Sequence, residues 1–224
     1  MPASRPATSQ APADAPRPAQ NRVTPCGEIV AAPGRGAWMG NRGRLHEGAG
    51  SRVIVRGQQT TAWLICALSF RGRRVAQWHP RRYTPLFFLD EAVALAAGHR
   101  PCAECRHRAF TGFAGAVAAA EGGPPPRAGV LDSRLRDERA RDHQGRRLLT
   151  TLPWPDVPDG AFVLAGNGPA VVIGGHLTFY DQSANAYSGR GSRPETGTAA
   201  VLTPPTTVAA LRAGYEPQVA ETAR

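Results

Sequence analysis

The stretch LFFLDEAVALAAGHRPCAECRHRAF, residues 86–110, combines the signals that decide the fold. It opens with an apolar run, Leu86–Leu89, which predicts a short buried strand. Asp90 is a suitable N-cap for the following segment, and Gly98 suits the left-handed position that ends a helix. The helix between them has only about two turns, so it needs packing against a neighbouring sheet to be stable. Pro101 prevents the helix from continuing and leads into a pair of cysteines.

The spacing of Cys102 and Cys105 is typical of a zinc knuckle. Two thiolates separated by two residues can bind one ion, while backbone amides at the start of the next helix stabilise their charge. Two other interpretations stay open. A redox pair would belong to a thioredoxin-like βαβ pattern, which this sequence lacks. Two inert core thiols would be poorly buried on a turn flanked by arginine and histidine.

Residues 51–70, SRVIVRGQQTTAWLICALSF, predict two strands joined by a turn. The strands are expected over Arg52–Arg56 and Thr61–Phe70, where β-branched and aromatic residues are frequent. The second strand is expected to lie beside Leu86–Leu89. That pairing would bring Cys66 towards the CxxC pair.

A CxxC pair supplies half of a tetrahedral zinc site, so further ligands must come from elsewhere in the chain. Cys66 is the expected third ligand. His46 ends the flexible glycine-rich segment GNRGRLH and is the expected fourth ligand. The alternatives for the fourth position are His79, Cys26, or an atom of water or substrate.

TTAWLIC, residues 60–66, and FFLDEAVALAAGHRPCAECR, residues 87–106, together resemble the metal-binding domain of the Ada family of methylated-DNA repair proteins. In that family a strand of the TTGIFC kind precedes a two-turn helix of the EALAAGFRPCKRC kind, and four cysteines bind zinc. The resemblance implies that the three matching cysteines bind Zn²⁺. It also implies that Cys66 corresponds to the cysteine that accepts a methyl group from a DNA phosphotriester. The family's fourth cysteine corresponds to Phe70 here.

The charge of the chain favours a polyanionic partner. The 224 residues carry a formal net charge of +10, and all 27 basic residues are arginine. A GC-rich genome would explain the absence of lysine but not the sign of the charge. Guanidinium groups bind phosphate well, and binding to nucleic acid is driven by counterion release, so we expect a nucleic acid, DNA in the first place, as partner.

Arginines are concentrated near the predicted metal site, among tyrosine and tryptophan side chains that suit base stacking. The set expected to contact nucleic acid is Arg71, Arg73, Arg74, Arg81, Arg82, Arg106 and Arg108. The alternative is an ordinary solvated charged surface. Since no base-reading helix is evident, no sequence specificity is predicted.

The predicted fold class is α+β, an Ada-like zinc-binding module of a β-hairpin and short helices followed by a small β-rich unit. Residues 1–24 are rich in proline and alanine and are expected to be a disordered tail. The metal-binding domain is expected over 25–121, a linker with a charged helix over 122–154, and the β-rich domain with a C-terminal helix over 155–224. Within the last unit, GAFVLA, AVVIGG and HLTFYD, between residues 160 and 181, predict successive strands.

The resulting functional hypothesis is an intracellular zinc-binding protein that contacts nucleic acid through arginines. No segment approaches the about 18 uninterrupted apolar residues of a membrane span, and no apolar signal region is present, so a cytoplasmic location is expected. Three alternatives stay open. One is a metal-dependent nuclease using His46, Glu47, Asp90 and Glu91, and another is a repair protein that accepts a methyl group at Cys66. In the third, the C-terminal β unit binds a partner and the zinc domain is only structural.

Overall fold

A computed structural model of the protein describes residues 18–48, 51–72 and 74–224. Within these residues the strands are β1 (Gln20–Val23), β2 (Ile29–Ala31), β3 (Trp38–Asn41), β4 (Leu64–Cys66), β5 (Leu86–Phe88), β6 (Arg100–Pro101), β7 (Thr150–Pro153), β8 (Phe162–Ala165), β9 (Gly168–Ile173), β10 (His176–Asp181), β11 (Ala186–Ser192) and β12 (Thr198–Val201). The α-helices are α1 (Glu91–Ala96), α2 (His107–Glu121), α3 (Ala128–Glu138) and α4 (Pro205–Arg212). The mixed α+β class is confirmed.

The first sheet has the strand order β2-β1-β5-β3-β4-β6. β5 lies inside it, parallel to β1 and antiparallel to β3. The predicted strand at Leu86–Leu89 is therefore confirmed, and it is buried as its apolar composition requires. β4 and β6 close one edge and run parallel to each other. β3 lies between β4 and β5, so the strand of Cys66 does not pair with Leu86–Phe88 as the sequence predicted.

The second sheet has the order β11-β10-β9-β8-β12-β7. β8 to β11 form an antiparallel meander, and β12 inserts between β8 and β7. The turn between β8 and β9 pairs Ala165 with Gly168, where the sequence Gly-Asn-Gly predicts a hairpin. The three strands predicted between residues 160 and 181 are confirmed.

α1 lies where the two sheets meet. Asp90 caps it by accepting a hydrogen bond from the backbone N–H of Val93 at 2.9 Å, as predicted. Every residue of α1 is buried: the apolar side chains from Ala92 to Ala96 allow close packing on all sides, and Glu91 is paired with Arg106. One hydrophobic cluster joins Phe88 of the first sheet, Leu95 of α1 and Phe162 of the second sheet.

The segment 122–154, predicted as a linker with a charged helix, contributes to the core and to the second sheet. α3 buries Leu131 and Leu135, and Leu131 belongs to the cluster that joins the two sheets. β7 is the edge strand of the second sheet. The part predicted to bind metal and the β-rich part therefore share a core and are not separated by an exposed connection. In the described part of the chain, no helix is both long and apolar enough to cross a bilayer.

Two predictions about local structure are wrong. The predicted disordered tail reaches residue 24, but Gln20–Val23 form β1, which pairs with both β2 and β5 and buries Val23 completely. The tail residues 1–17 lie outside the described residues. The strand expected over Arg52–Arg56 is reduced to a single bridge between Ile54 and His46, because this segment meets only a short irregular loop.

Candidate metal centre

Three cysteines converge at the β4–β6 edge of the first sheet. The Sγ atoms of Cys66, Cys102 and Cys105 all lie within 4.8 Å of one another. In a tetrahedral site with metal–sulfur bonds of about 2.3 Å, thiolate sulfurs lie about 3.8 Å apart. The cluster thus has the size of a metal centre, and its three thiols could hold a metal ion.

The pairing of β4 and β6 places the first two cysteines side by side. Cys66 ends β4, opposite Met39 of β3. The backbone N–H of Cys102, directly after β6, donates to the carbonyl of Ile65 at 2.9 Å. This parallel register brings both side chains to the same end of neighbouring strands.

A turn after β6 returns Cys105 towards the same point. The backbone N–H of Arg106 donates to the Cys102 carbonyl at 3.1 Å, and α2 begins one residue later at His107. The backbone N–H of Ala67 donates to Cys105 Sγ at 3.4 Å. The CxxC pair therefore spans a junction between strand and helix, where backbone N–H groups can stabilise thiolates.

The three thiols share their protons unequally. Hydrogen bonds from the thiols of Cys105 and Cys66 lower the pKa of Cys102, and backbone N–H groups of Cys105 and Glu104 act in the same direction. The same thiol contacts, followed by burial, raise the pKa of Cys66. A bound cation would favour the thiolate form of all three groups.

Apolar side chains surround the cluster. They are Met39, Leu64, Val75, Tyr83 and Phe87. Burial, followed by the negative charges of Cys66, Cys105 and Cys102, raises the pKa of Tyr83 to about 12. The Tyr83 hydroxyl group therefore keeps its proton at neutral pH and can act as a donor. An apolar surrounding of this kind strengthens bonds between thiolates and a cation by limiting access of water.

The structure does not bring His46, the expected fourth ligand, to this cluster. His46 is buried, with Nδ1 hydrogen-bonded to Thr84 Oγ1 at 2.6 Å and its ring edge-on to Trp78 at 5.7 Å. Its position is explained by the bridge and the hydroxyl contact that anchor its loop. His79 and Cys26 also lie outside the group of potential ligands found in the described residues. Of the alternatives considered for the fourth position, an atom of water or substrate is left.

Six of the seven predicted nucleic-acid-binding arginines can be placed, and Arg73 lies outside the described residues. The exposed ones are Arg71, Arg74, Arg81, Arg82 and Arg108. Arg106 is a correction. Its side chain is 8 % exposed, its Nη1 lies 2.8 Å from Glu91 Oε1, and its guanidinium group lies 3.7 Å from the centre of the Trp38 ring. These internal contacts occupy Arg106, which is therefore not a surface contact for nucleic acid.

An arginine-lined groove of about 490 Å³ lies beside the cysteines. Arg22, Arg35 and Arg74 line it, and no aspartate or glutamate is found among its described lining residues. Its apolar part includes Val75 and Phe87, which also pack against the cysteine cluster. We call this surface the arginine groove. It places three cations next to the candidate metal centre.

Two of the groove arginines, Arg22 and Arg35, were missed by the sequence prediction. Arg22 belongs to β1, within the stretch predicted to be disordered, where Val23 alone signals a strand. In the structure Arg22 Nε donates to the carbonyl of Gly34 at 2.6 Å, and its guanidinium group lies 5.3 Å from the centre of the Phe87 ring. Pairing of β1 with β5 creates this contact, and such long-range pairing has no local signal.

The carboxylates considered for a nuclease are used in the core. Asp90 is fully buried and accepts hydrogen bonds from the backbone N–H groups of Val93 and Ala220 and from the Tyr187 hydroxyl group. Glu91 is 2 % exposed and is paired with Arg106. Neither carboxylate is available to a substrate, so this geometry does not favour hydrolysis through them.

The candidate metal centre is defined by the geometry of this chain. Its three sulfur atoms are brought together by strand pairing, by a backbone-closed turn and by apolar packing. Comparisons of the chain with protein-family models, with curated proteins and with solved structures find no match.

Proposed function

We propose that this chain is a zinc-binding protein that contacts DNA through the arginine groove beside its metal centre. The observation that carries the proposal is the convergence of three cysteine sulfurs within 4.8 Å of one another. Three close thiolates are soft ligands and favour Zn²⁺ over the hard cations Mg²⁺ and Ca²⁺. The resemblance of these segments to the Ada metal-binding domain points to the same metal.

The ion would be held by Cys66, Cys102 and Cys105. It would cross-link β4 to the turn that opens α2. Both elements are short, since β4 has three residues and β6 has two. Short edge strands contribute few backbone hydrogen bonds, so a bound metal would add substantially to their stability. The fourth position would be taken by an atom of water or substrate.

The arginine groove supports DNA as the partner. Three guanidinium groups face a groove that no described carboxylate lines. Phosphate contacts of this kind give affinity that does not depend on base sequence and falls as salt is raised. The exposed arginines Arg71, Arg81, Arg82 and Arg108 would extend the contact surface.

The metal is tested by measuring zinc in the purified wild-type protein and in three single variants. We expect about one zinc per chain in the wild type and in Cys26→Ser, because Cys26 lies outside the cluster. Cys66→Ser and Cys102→Ser should lose most of it. A folded, metal-free wild type, or full zinc retention in both variants, would contradict the proposal.

DNA binding is tested by measuring affinity at several salt concentrations. The double variant Arg35→Ala/Arg74→Ala removes two groove cations and should make the slope of log K against log salt shallower by about two. Arg134→Ala is the matched control, because Arg134 is exposed and ion-paired with Glu121 on another surface. Equal effects of the groove and control variants would rule out the groove.

The same samples separate a binder from the enzymatic alternatives. Unchanged DNA after incubation is expected from a binding protein, whereas cleavage products would indicate a nuclease. A mass increase of one methyl group on Cys66 after incubation with methylphosphotriester DNA would indicate a methyl acceptor. The proposal expects neither change.

A further inference from the structure

Arg42 is an almost completely buried arginine with an unused donor. It directly follows β3 and is 1 % exposed. Its Nε donates to His99 Nε2 at 3.1 Å, and its Nη1 donates to the Gly27 carbonyl at 2.9 Å. Its buried Nη2 has no hydrogen-bond partner among the described residues. Arg42 lines a pocket of about 440 Å³, and such an orphaned donor indicates a missing acceptor.

Two guanidinium groups of the same pocket pack against one indole. The guanidinium carbon of Arg42 lies 3.6 Å from the centre of the Trp63 ring, and that of Arg139 lies 4.2 Å from it. Arg139 is further fixed by donating from Nη2 to the Thr61 carbonyl at 2.6 Å. Contacts with an aromatic face hold planar guanidinium groups in place and leave some of their N–H groups free for a ligand.

Two more arginines complete the cluster. Arg141 lines the pocket and donates to the carbonyls of Gly145 and Cys26 at 2.7 and 3.0 Å. Arg147 lies beside Arg139, since a Cβ added to Gly98 would be 3.2 Å from Arg139 Cδ and 3.7 Å from Arg147 Nη2. The Nε and Nη2 atoms of Arg147 are buried, and no partner for them is found within the described ranges.

No direct ion pair among the described residues balances the four arginines, although Asp132, Asp137 and Glu138 lie near enough to offset part of the fall that burial causes in the pKa values of Arg139 and Arg147. Of the ion pairs found in the part of the chain that the structure describes, none includes Arg42, Arg139, Arg141 or Arg147. Burial, followed by the charges of the other three, lowers the pKa of Arg42. Buried charges without a partner are costly, and a bound anion would offset that cost.

We propose that the pocket formed by Arg42, Arg139 and Arg141 around Trp63 is a phosphate-binding site, with Arg147 adding charge behind it. Several guanidinium groups that line one pocket can bind the multiple oxygens and the double charge of a phosphomonoester. A single carboxylate ligand would use fewer of these donors. The pocket is large enough for a phosphate attached to a small organic group. It lies near the start of β4, whereas Cys66 ends that strand, so the site is separate from the metal centre and from the arginine groove.

The phosphate could be a free phosphate or the terminal phosphate of a nucleic-acid strand, and three probes distinguish these sources. They are inorganic phosphate, a 5′-phosphorylated oligonucleotide and the same oligonucleotide with a 5′-hydroxyl group. Binding of each to the zinc-loaded full chain is measured by calorimetry. A preference for the phosphorylated strand that inorganic phosphate competes away would assign the strand end. Binding of inorganic phosphate without that preference would assign a small phosphate ligand.

Two variants and a control test the pocket itself. Arg141→Gln removes an exposed cation of the pocket without disturbing the core, and Arg42→Gln removes the buried one. Each should weaken phosphate binding by about 10- to 100-fold, the loss expected for one charge-assisted contact. Arg134→Gln is the control: Arg134 lies in α3, does not line the pocket and is paired with Glu121, so this variant should bind phosphate as the wild type does.

Two results would overturn the proposal. One is a wild type that does not bind inorganic phosphate and binds the phosphorylated strand no more tightly than the hydroxyl strand. The other is an Arg141→Gln protein that is folded and binds phosphate like the wild type, a result that stands even if Arg42→Gln fails to fold. Neither outcome depends on the zinc or groove variants, so failure of this proposal is distinguishable from failure of the proposed function.

Discussion

Removal of one hydroxyl group, by Tyr187→Phe, tests how the two sheets are joined. Tyr187 of β11 donates to Asp90 Oδ2 at 2.8 Å, and Asp90 caps α1 at the end of the first sheet. Asp90 is fully buried and Tyr187 is 9 % exposed. Phenylalanine keeps the ring and its packing, so the variant removes the hydrogen bond and creates almost no cavity.

The size of the effect follows from the charge on the acceptor. A hydrogen bond to a buried charged group contributes about 1.5–3 kcal/mol, so we expect Tyr187→Phe to lower the free energy of unfolding by about 2 kcal/mol near neutral pH. For a chain of this size that loss corresponds to a fall of about 4–8 °C in the unfolding midpoint. Two backbone N–H groups continue to bind the Asp90 carboxylate, which limits the loss.

The loss should depend on pH, and its sign follows from the pKa of Asp90. Burial raises this pKa, and the hydrogen bonds from Val93, Ala220 and Tyr187 oppose the rise. A raised pKa means that the folded state holds the proton more tightly than the unfolded state, so the contribution of Asp90 to stability is greatest at low pH and falls as pH rises through the folded pKa. Without the Tyr187 hydroxyl group the pKa rises further, so the difference between variant and wild type should grow as the pH is raised through the folded pKa of Asp90.

Tyr180→Phe is the matched control for this measurement. Tyr180 is also buried in the second sheet, and it donates at 2.8 Å to Asn185 Oδ1, a neutral acceptor. Its loss should cost about 1 kcal/mol and should not depend on pH in the same range. Urea unfolding of the three proteins, followed by circular dichroism at each pH, gives both quantities. Equal losses for the two variants, or a Tyr187→Phe effect that is constant with pH, would refute the role assigned to the Asp90 carboxylate.

Four further substitutions test packing and ion pairing, each by urea unfolding. Gly40→Ala should cost about 1–3 kcal/mol, because its Cβ would lie 2.6 Å from Phe88 Cζ. Gly115→Ala, which meets no atom within 4 Å in the middle of α2, should instead stabilise the protein by about 0.5–1 kcal/mol, and a loss in both variants would contradict this contrast. Asp132→Asn should cost about 3 kcal/mol, because it removes the negative charge and one of the two oxygens that accept hydrogen bonds from the buried Arg100 guanidinium group. Additivity with Arg100→Met in the double variant would argue against coupling. Leu95→Ala should cost about 2–5 kcal/mol, because this fully buried side chain lies in the cluster shared by both sheets, and a loss below about 1 kcal/mol would show that the cluster relaxes around the cavity.

Features with local signals were predictable from the sequence. The cap at Asp90, the strand before it and the helix after it depend on neighbouring residues, and all three are present in the structure. The proximity of Cys66 to the CxxC pair was also expected, but from a strand pairing that is wrong. The strand of Cys66 was predicted beside Leu86–Leu89, whereas β3 separates β4 from β5, and β4 instead pairs with β6, the strand directly before Cys102. The hairpin between β8 and β9 belongs to the same group, since Gly-Asn-Gly between apolar runs is a short-range signal.

Features set by long-range pairing were not predictable. β1 is polar except for Val23, and only its partners β2 and β5 show why it is ordered. His46 was expected at the metal because its loop is glycine-rich, but the Thr84 hydroxyl group, distant in sequence, determines where its ring lies. The cluster around Arg42 brings together residues from four separate segments. The sequence around each of its arginines looks like that of an ordinary surface arginine.

The contact between Arg106 and Glu91 has a consequence for modularity. Arg106 directly follows the second cysteine of the CxxC pair, and Glu91 also accepts a hydrogen bond from the Tyr215 hydroxyl group at 2.7 Å. Tyr215 in turn packs edge-on against Phe113 of α2 at 5.3 Å. The C-terminal segment thus holds Glu91, and through it the cysteine turn, in place. A fragment that ends after α2 would lose the Tyr215 contacts and expose Phe113. The part of this chain that carries the three cysteines is therefore not expected to fold by itself when it is excised or fused to another protein.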